Sequence, residues 1–180
     1  MSIAFPIVDV NTKRPLEQSI SNLRALIRDM KQVVVAFSGG VDSALVLDIA
    51  HEVLGENAIA MTAISPTFPP EEQEIAQSFT KERGIRHLLI ETHELEEEGY
   101  ARNEGNRCYF CKSELFRLAT AKANAMGIQW VLDGTIVDDL GDHRPGLQAA
   151  SENEVRHPLV EARFNKEMVR AVAQQRGIHV

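Results

Sequence analysis

Val33-Val34-Val35-Ala36-Phe37-Ser38-Gly39-Gly40-Val41-Asp42-Ser43, running directly into Ala44-Leu45-Val46-Leu47, decides the fold class of this chain. The β-branched run reads as a buried strand, and the apolar run after Ser43 as the start of a helix. A strand, a tight glycine turn and a helix N-terminus together make an anion site. Unpaired backbone N–H groups and the positive end of the helix dipole point at one spot. Gly39 and Gly40 let the backbone come close to a ligand without a Cβ clash. Ser38 and Ser43 add hydroxyl donors, and Asp42 adds a carboxylate able to hold Mg²⁺ against a phosphate. There is no Gly-Lys-Ser/Thr and no G-x-G-x-x-G, so the loop is neither a Walker loop nor a dinucleotide fingerprint. The bland alternative is a glycine turn with a serine cap, common in α/β proteins; six positions in strand-to-helix context favour the nucleotide loop.

Working outward, Leu16, Ile20, Leu23, Ile27 and Met30 recur at helical spacing, with Pro15 at a natural first-turn position. Helices are also expected over 43–54, stopped by Gly55, over 71–83, over 107–126, closed by Gly127, and over 165–176, with Asn165 or Phe164 at its cap. Strands are expected at 33–37, 58–64, 86–90 and 129–133. A short helix at 147–151 and a short extended piece at 155–160 complete the reading. Strands alternating with helices imply right-handed crossovers and a doubly wound, mainly parallel α/β sheet with helices on both faces. Ligands of such sheets bind beyond the carboxyl ends of the strands. The glycine loop, the loop Ser65–Pro70 and the loop Gly134–Gly146 all belong there.

At 180 residues the chain fits one domain, 1–180, and 44% hydrophobic with 25% charged residues is ordinary for a soluble globular protein. A net charge of −7 without a long basic run disfavours a broad nucleic-acid surface. The acidic stretch Glu91–Glu98 is expected in a solvated loop or on a helix face. No apolar run is long enough to span a bilayer, and Met1–Arg14 lacks the pattern of a secretory signal, so a cytoplasmic location is expected.

The two cysteines stand in Arg107-Cys108-Tyr109-Phe110-Cys111-Lys112. At i and i+3 near a helix N-terminus, Cys108 and Cys111 project together, and the helix end, Arg107 and Lys112 lower a thiol's pKa. Nucleophile, disulfide, metal ligand and plain buried hydrophobe all remain open readings. Two cysteines do not complete a tetrahedral zinc site; His143, His157 or His179 would have to help. In Asp133-Gly134-Thr135-Ile136-Val137-Asp138-Asp139-Leu140-Gly141-Asp142-His143-Arg144-Pro145-Gly146, four aspartates and an arginine suit metal–phosphate contacts. A solvated, turn-rich loop is the competing reading.

The string Ser38–Ser43 after its hydrophobic strand resembles the PP-loop of the ATP pyrophosphatase superfamily, which includes NAD and GMP synthetases and tRNA-thiolating enzymes. Its succession with Arg107–Lys112, Asp133–Gly146 and Arg156-His157-Pro158-Leu159-Val160-Glu161-Ala162 is similar to one branch, the LarE-type ATP-dependent sacrificial sulfur transferases of nickel-pincer nucleotide cofactor biosynthesis. The likeness runs from about Leu16 to the end of the chain. It implies an adenine nucleotide alpha hydrolase-like fold, ATP and Mg²⁺ as cofactors, and adenylation of a small-molecule carboxylate, a nicotinate-derived nucleotide in that branch. It further implies nucleotide contacts at Ala36, Ser38, Gly39, Gly40, Val41, Asp42, Ser43, Ala63, Gly134 and Thr135. Metal contacts are implied at Asp42 and Asp138, and a catalytic set of Arg107, Cys108 and Cys111.

That branch continues into an Ala-Cys-Leu-x-Ser-Arg segment whose cysteine donates sulfur or completes an iron–sulfur cluster; this chain reaches Val180 without it. The resemblance therefore carries ATP binding better than sulfur transfer. A cluster would need a ligand from outside the chain, supplied by a homo-oligomer or a partner. A tRNA-thiolation enzyme and a nucleotide-binding partner subunit are the alternatives. The isolated chain is expected to show accessible, acidified thiols, or a disulfide, rather than a stable cluster. Alkylation against pH should find both sulfurs reacting well below the reference cysteine pKa of about 8.5; buried structural cysteines would stay unreactive until the protein unfolds.

Overall fold

The computed structural model describes residues 10–64, 69–91, 107–141 and 150–180, with side chains placed for 15–64, 69–91, 112–140 and 150–180. The loop at 65–68, the acidic stretch beyond Glu91, residues 142–149 and the side chains of Arg107, Cys108 and Cys111 lie outside them. In chain order the elements are α1 Val10–Met30, β1 Val33–Ala36, α2 Val41–Leu54, β2 Ala58–Ile64, α3 Pro70–Glu82, β3 Arg86–Glu91, α4 Arg107–Ala125, β4 Trp130–Leu132, α5 Pro158–Glu161 and α6 Lys166–Gln175. Short 3₁₀ turns span Gly55–Asn57 and Val137–Gly141.

All four strands are parallel, in the order β3-β2-β1-β4. β1 is buried on both faces, which is why it reads as an unbroken β-branched run rather than an alternation. Val33 and Val35 turn to one core with Leu23 and Ile27 of α1, Leu45 and Leu47 of α2, Phe79 of α3 and Val169 of α6. Val34 and Ala36 turn to the other, with Ile59, Met61 and the Phe116, Ala119 and Ala123 stripe of α4. The sheet is thus doubly wound. The chain runs outward from β1 to β2 and β3 with its helices on one face, then returns through α4 on the opposite face to place β4 beside β1. Between the carboxyl ends of β1 and β4 the winding reverses, and a crevice opens there.

Several boundaries differ from expectation. Helix α1 begins at Val10, so Pro15 sits inside it instead of in its first turn; the Asn11 carbonyl lacks an i→i−4 donor there. Helix α2 begins at Val41, two residues before Ser43, with extended Gly40 as its cap and no side chain capping it. The piece expected to be extended over 155–160 contributes one parallel bridge, Arg156 to Leu132, and then turns into α5, whose first residue is Pro158. Proline's fixed φ favours a helix start over a continued strand.

Helices α2 and α6 lie side by side, tied at both ends. Lys166 pairs with Asp42 at their starts; Arg176 reaches Asp48 and Glu52 at their ends. Asp48 is shared with Arg83 and Glu52 with Arg24, so α1, α2, α3's terminus and α6 share one charge network. In that network the Arg176 guanidinium is held above its ordinary pKa: burial works against the charge, and the carboxylates of Asp48 and Glu52 outweigh it.

Candidate functional site

The turn after β1 is built from its own hydroxyls. The Ser38 amide donates to Ser43 Oγ at 3.4 Å, the Gly40 amide to Ser38 Oγ at 3.4 Å, and Ser43 Oγ donates to the Gly40 carbonyl at 3.1 Å. Gly39 takes a left-handed φ of +84°, which an L side chain rarely adopts, and lies against the Glu72 carbonyl of α3. With no side-chain cap, the first-turn amides of α2 face outward without an intrahelical acceptor.

The opposite wall is the turn after β4. A Cβ on Gly134 would lie 2.5 Å from the Ser43 nitrogen and 2.8 Å from its Cα. Backbone therefore meets backbone here, and only glycine allows it. Ala36, Ser38, Gly40, Asp42, Ser43, Asp133, Gly134, Thr135 and Asp139, with Lys112, Leu115 and Phe116 of α4, line a cleft of about 280 Å³. A larger hollow of about 540 Å³, reached by Asn57, Gly84 and Ile128, lies where the strands begin. No uncapped helix start opens on it, and the sheet's ligand edge is the other one.

Electrostatics in the cleft are balanced. Lys166 Nζ sits 2.9 and 2.8 Å from the two oxygens of Asp42. The Lys166 amide donates to Asp138 Oδ2 at 2.7 Å, and Asn165 Oδ1 accepts from the Met168 amide at 2.9 Å, so Asp138 and Asn165 together cap α6. Asp133, 6% exposed, accepts from the Thr135 amide at 3.0 Å, the Thr135 hydroxyl at 2.7 Å and His157 Nδ1 at 2.7 Å. Burial depresses the basicity of His157, but the bond and charge of Asp133, with Glu161 beside it and Lys112 opposing, raise its pKa above the ordinary value. His87 behaves oppositely: enclosed between Thr62 and Thr80, it is lowered by burial. Thr62 Oγ1 donates to the Phe37 carbonyl at 2.6 Å, so His87 braces the chain just ahead of Ser38.

Of the residues expected at the site, Ala36, Ser38, Gly40, Asp42, Ser43, Gly134 and Thr135 meet in the cleft, with Gly39 behind it and Val41 packed toward the core. Ala63 stands one strand over, in register with Ile90, and Asp138 serves the start of α6. Cys108 and Cys111 lie on α4 one turn ahead of Lys112 and Leu115. Lys166, Asp133 and His157 gain their places only through the fold. The Asn165 cap before Lys166 marked the helix, but nothing local paired it with Asp42, 124 residues away. Among the described residues no group of three or more His, Cys, Asp or Glu is set to hold a metal. His157 is engaged with Asp133 through Nδ1 and His179 lies beside α3, while the cysteine side chains they were expected to help lie outside the described residues.

Residues 16–117 match the model of the family described as NAD synthase. The chain belongs to the NAD synthase family. A protein of Synechocystis sp. described as uncharacterized is 46% identical over 91% of this chain and 61% of its own length. The pyridinium-3,5-bisthiocarboxylic acid mononucleotide synthase of Lactiplantibacillus plantarum is 39% identical over 88% of this chain and 58% of its length. The chain thus spans about three-fifths of these relatives. In fold it is like the glutamine-dependent NAD⁺ synthetase of Acinetobacter baumannii, solved with ADP: TM-score 0.73, 17% identity, 97% of this chain and 34% of that one. This family's sheet, doubly wound with an adenine nucleotide alpha hydrolase-like topology, is the one expected from the sequence. Among the described residues no helix is long and apolar enough to cross a membrane.

Two predictions follow from the geometry. Gly134→Ala drives a methyl into the backbone of Ser43 and should destabilise the fold by about 1–3 kcal/mol, read as a lower urea midpoint. The histidines give stability a pH optimum. His157, raised, stabilises fully below the ordinary histidine value of about 6.5, and that contribution is lost as pH rises through its folded value. His87, lowered, contributes fully above about 6.5 and is lost as pH falls through its folded value. Both act together near pH ~6.5, so the urea midpoint should peak there. His157→Gln should flatten the alkaline limb and His87→Phe the acid limb.

Proposed function

We propose that this chain binds ATP in the cleft between β1 and β4 and adenylates a small-molecule carboxylate, releasing pyrophosphate. The observation that carries this is the contact of Gly134 on Ser43, which joins an uncapped helix start and a hydroxyl-rich turn into one anion-binding wall. The ADP of the Acinetobacter baumannii synthetase supports the nucleotide class, since that protein shares this fold. The Ser38–Ser43 amides and hydroxyls take the β- and γ-phosphates. Ala36, Gly134 and Thr135 flank the nucleoside, with Ala63 on the adenine side. A carboxylate oxygen attacks the α-phosphorus; the bond from that phosphorus to the bridging oxygen breaks, and pyrophosphate leaves with the electron pair. Oriented N–H groups aimed at the charge that grows on pyrophosphate lower that barrier.

The donor set suits Mg²⁺ in a phosphate-shared form. Asp133 and Asp139 are engaged with the backbone of their own turn, so Asp42 is the carboxylate that would hold the ion. Bound there, Mg²⁺ would offset phosphate charge. Lys166, which pairs with Asp42, would be free to meet a phosphate oxygen if Asp42 held the ion. Asp138, engaged with α6, is the less suited of the two expected metal positions.

The 39% identity to the bisthiocarboxylic acid synthase favours a sulfur-transfer use of the acyl-adenylate in nickel-pincer nucleotide biosynthesis. Cys108 and Cys111, with Arg107, are the groups proposed to act there from the start of α4. Two thiols are too few for a cluster, so a cluster would take a ligand from another chain or segment.

ATP incubated with Mg²⁺ and nicotinate-derived carboxylates should yield pyrophosphate and AMP; nucleotide binding without pyrophosphate under every acid tried would leave a binding subunit. A Cβ at Gly40 meets nothing closer than Ser38 Oγ at 3.5 Å, so Gly40→Val should fold while its branches occupy the phosphate position. ATP affinity should then fall at least about tenfold, roughly 1.4 kcal/mol. Asp42→Ala should abolish the gain in ATP affinity that Mg²⁺ confers. Unchanged affinity in a folded Gly40→Val protein contradicts the assignment.

A further inference from the structure

We infer that His157 is a positioning residue for this cleft: through Asp133 its imidazole sets the 133–135 turn that closes on the phosphate loop, and nucleotide affinity follows the proton on its Nε2. The inference rests on the nucleotide reading above and adds a residue and a proton to it. Asp133 Oδ1 holds both the Thr135 amide and His157 Nδ1, and Oδ2 holds the Thr135 hydroxyl. A carboxylate accepts, so Nδ1 carries the hydrogen in either protonation state and Nε2 is the nitrogen that titrates. Gly134, between the two residues so fixed, is the one pressed on Ser43. A shift of this turn therefore moves one wall of the cleft against the other.

The charge argues for a direction. Asp133 lines the cleft that an anion must enter. With Nε2 protonated, the imidazolium offsets that buried carboxylate; without the proton, an uncompensated negative charge stands behind the phosphate site. Among the described residues, the charged groups acting on the ring are Asp133 after β4, Glu161 on α5 and Lys112 on α4. Arg156 is occupied with Glu161, which leaves Asp133 as the closest partner. The elevated basicity of His157 fits a ring whose protonated form Asp133 already favours. A bound nucleotide would favour it further.

The test is ADP affinity by calorimetry between pH 5.5 and 9 at fixed ionic strength, with the His157 ring followed by NMR. Wild-type Kd should rise about fivefold across the interval in which His157 titrates. His157→Gln, which can still donate to Asp133, should bind at the weak, alkaline level with no slope there. Reciprocity requires bound ADP to raise the His157 titration midpoint. A His157→Gln protein that keeps the wild-type slope, or a His157 midpoint unmoved by saturating ADP, overturns the proposal while leaving the nucleotide reading intact. Failure of the wild type to bind ADP at any pH overturns both. Should the variant not fold, the midpoint shift in the wild-type protein decides alone.

Discussion

The contact of Gly134 with the backbone of Asp42 and Ser43 is the constraint on which the rest of this structure depends. β4 can lie beside β1 in parallel register only if the turn leaving it clears the start of α2, and a hydrogen in place of a methyl provides that clearance. Once the two turns touch, the remaining placements follow. Asp133 is drawn inward and must find partners, which it does in Thr135 and His157. Ile136 enters the core, and the Val137 amide reaches the Phe164 carbonyl, bringing the chain to the point where α6 starts. Lys166 then stands within reach of Asp42. A cleft with two walls is the result of a single close approach.

Much of this was legible from residues alone. The run Val33–Phe37, the alternation of strands and helices and the stops at Gly55 and Gly127 are local signals whose cause is burial and backbone freedom, and both act where the residue stands. The cleft residues of the first loop were legible for the same reason. Pairings across long separations were not. The Lys166–Asp42 bridge and the Asp133–His157 bond join residues that neither periodicity nor turn chemistry relates. Asp138 shows the converse difficulty: an aspartate in a polar loop suits a metal and a helix cap equally well, and the nearby start of α6 determined which use is seen. The start of α1 upstream of Pro15 is a case in which propensity gave way to helix continuation.

The two histidines illustrate how one side chain serves opposite ends. His87 is enclosed by hydroxyls, which carry no charge, so burial alone decides its basicity. His157 is enclosed by a carboxylate, which outweighs burial. The first secures the backbone entering the phosphate loop and the second the backbone facing it, so both walls of the cleft are braced from outside by an imidazole.

The pairing of α6 with α2 has a further consequence. Lys166 matches Asp42 and Arg176 matches Glu52 at the same sequence offset, so the two helices run parallel and in step rather than antiparallel. Parallel helices add their dipoles. Each N-terminus carries roughly half an elementary positive charge, and here both converge at one rim of the sheet. Side by side they repel, and the carboxylates of Asp42 at one start and Asp138 at the other offset that repulsion. An incoming polyanion meets a field that the chain's net charge of −7 would not foretell. The capture rate of such a ligand should consequently fall with added salt, as in steered association between opposite charges, although the molecule as a whole is acidic.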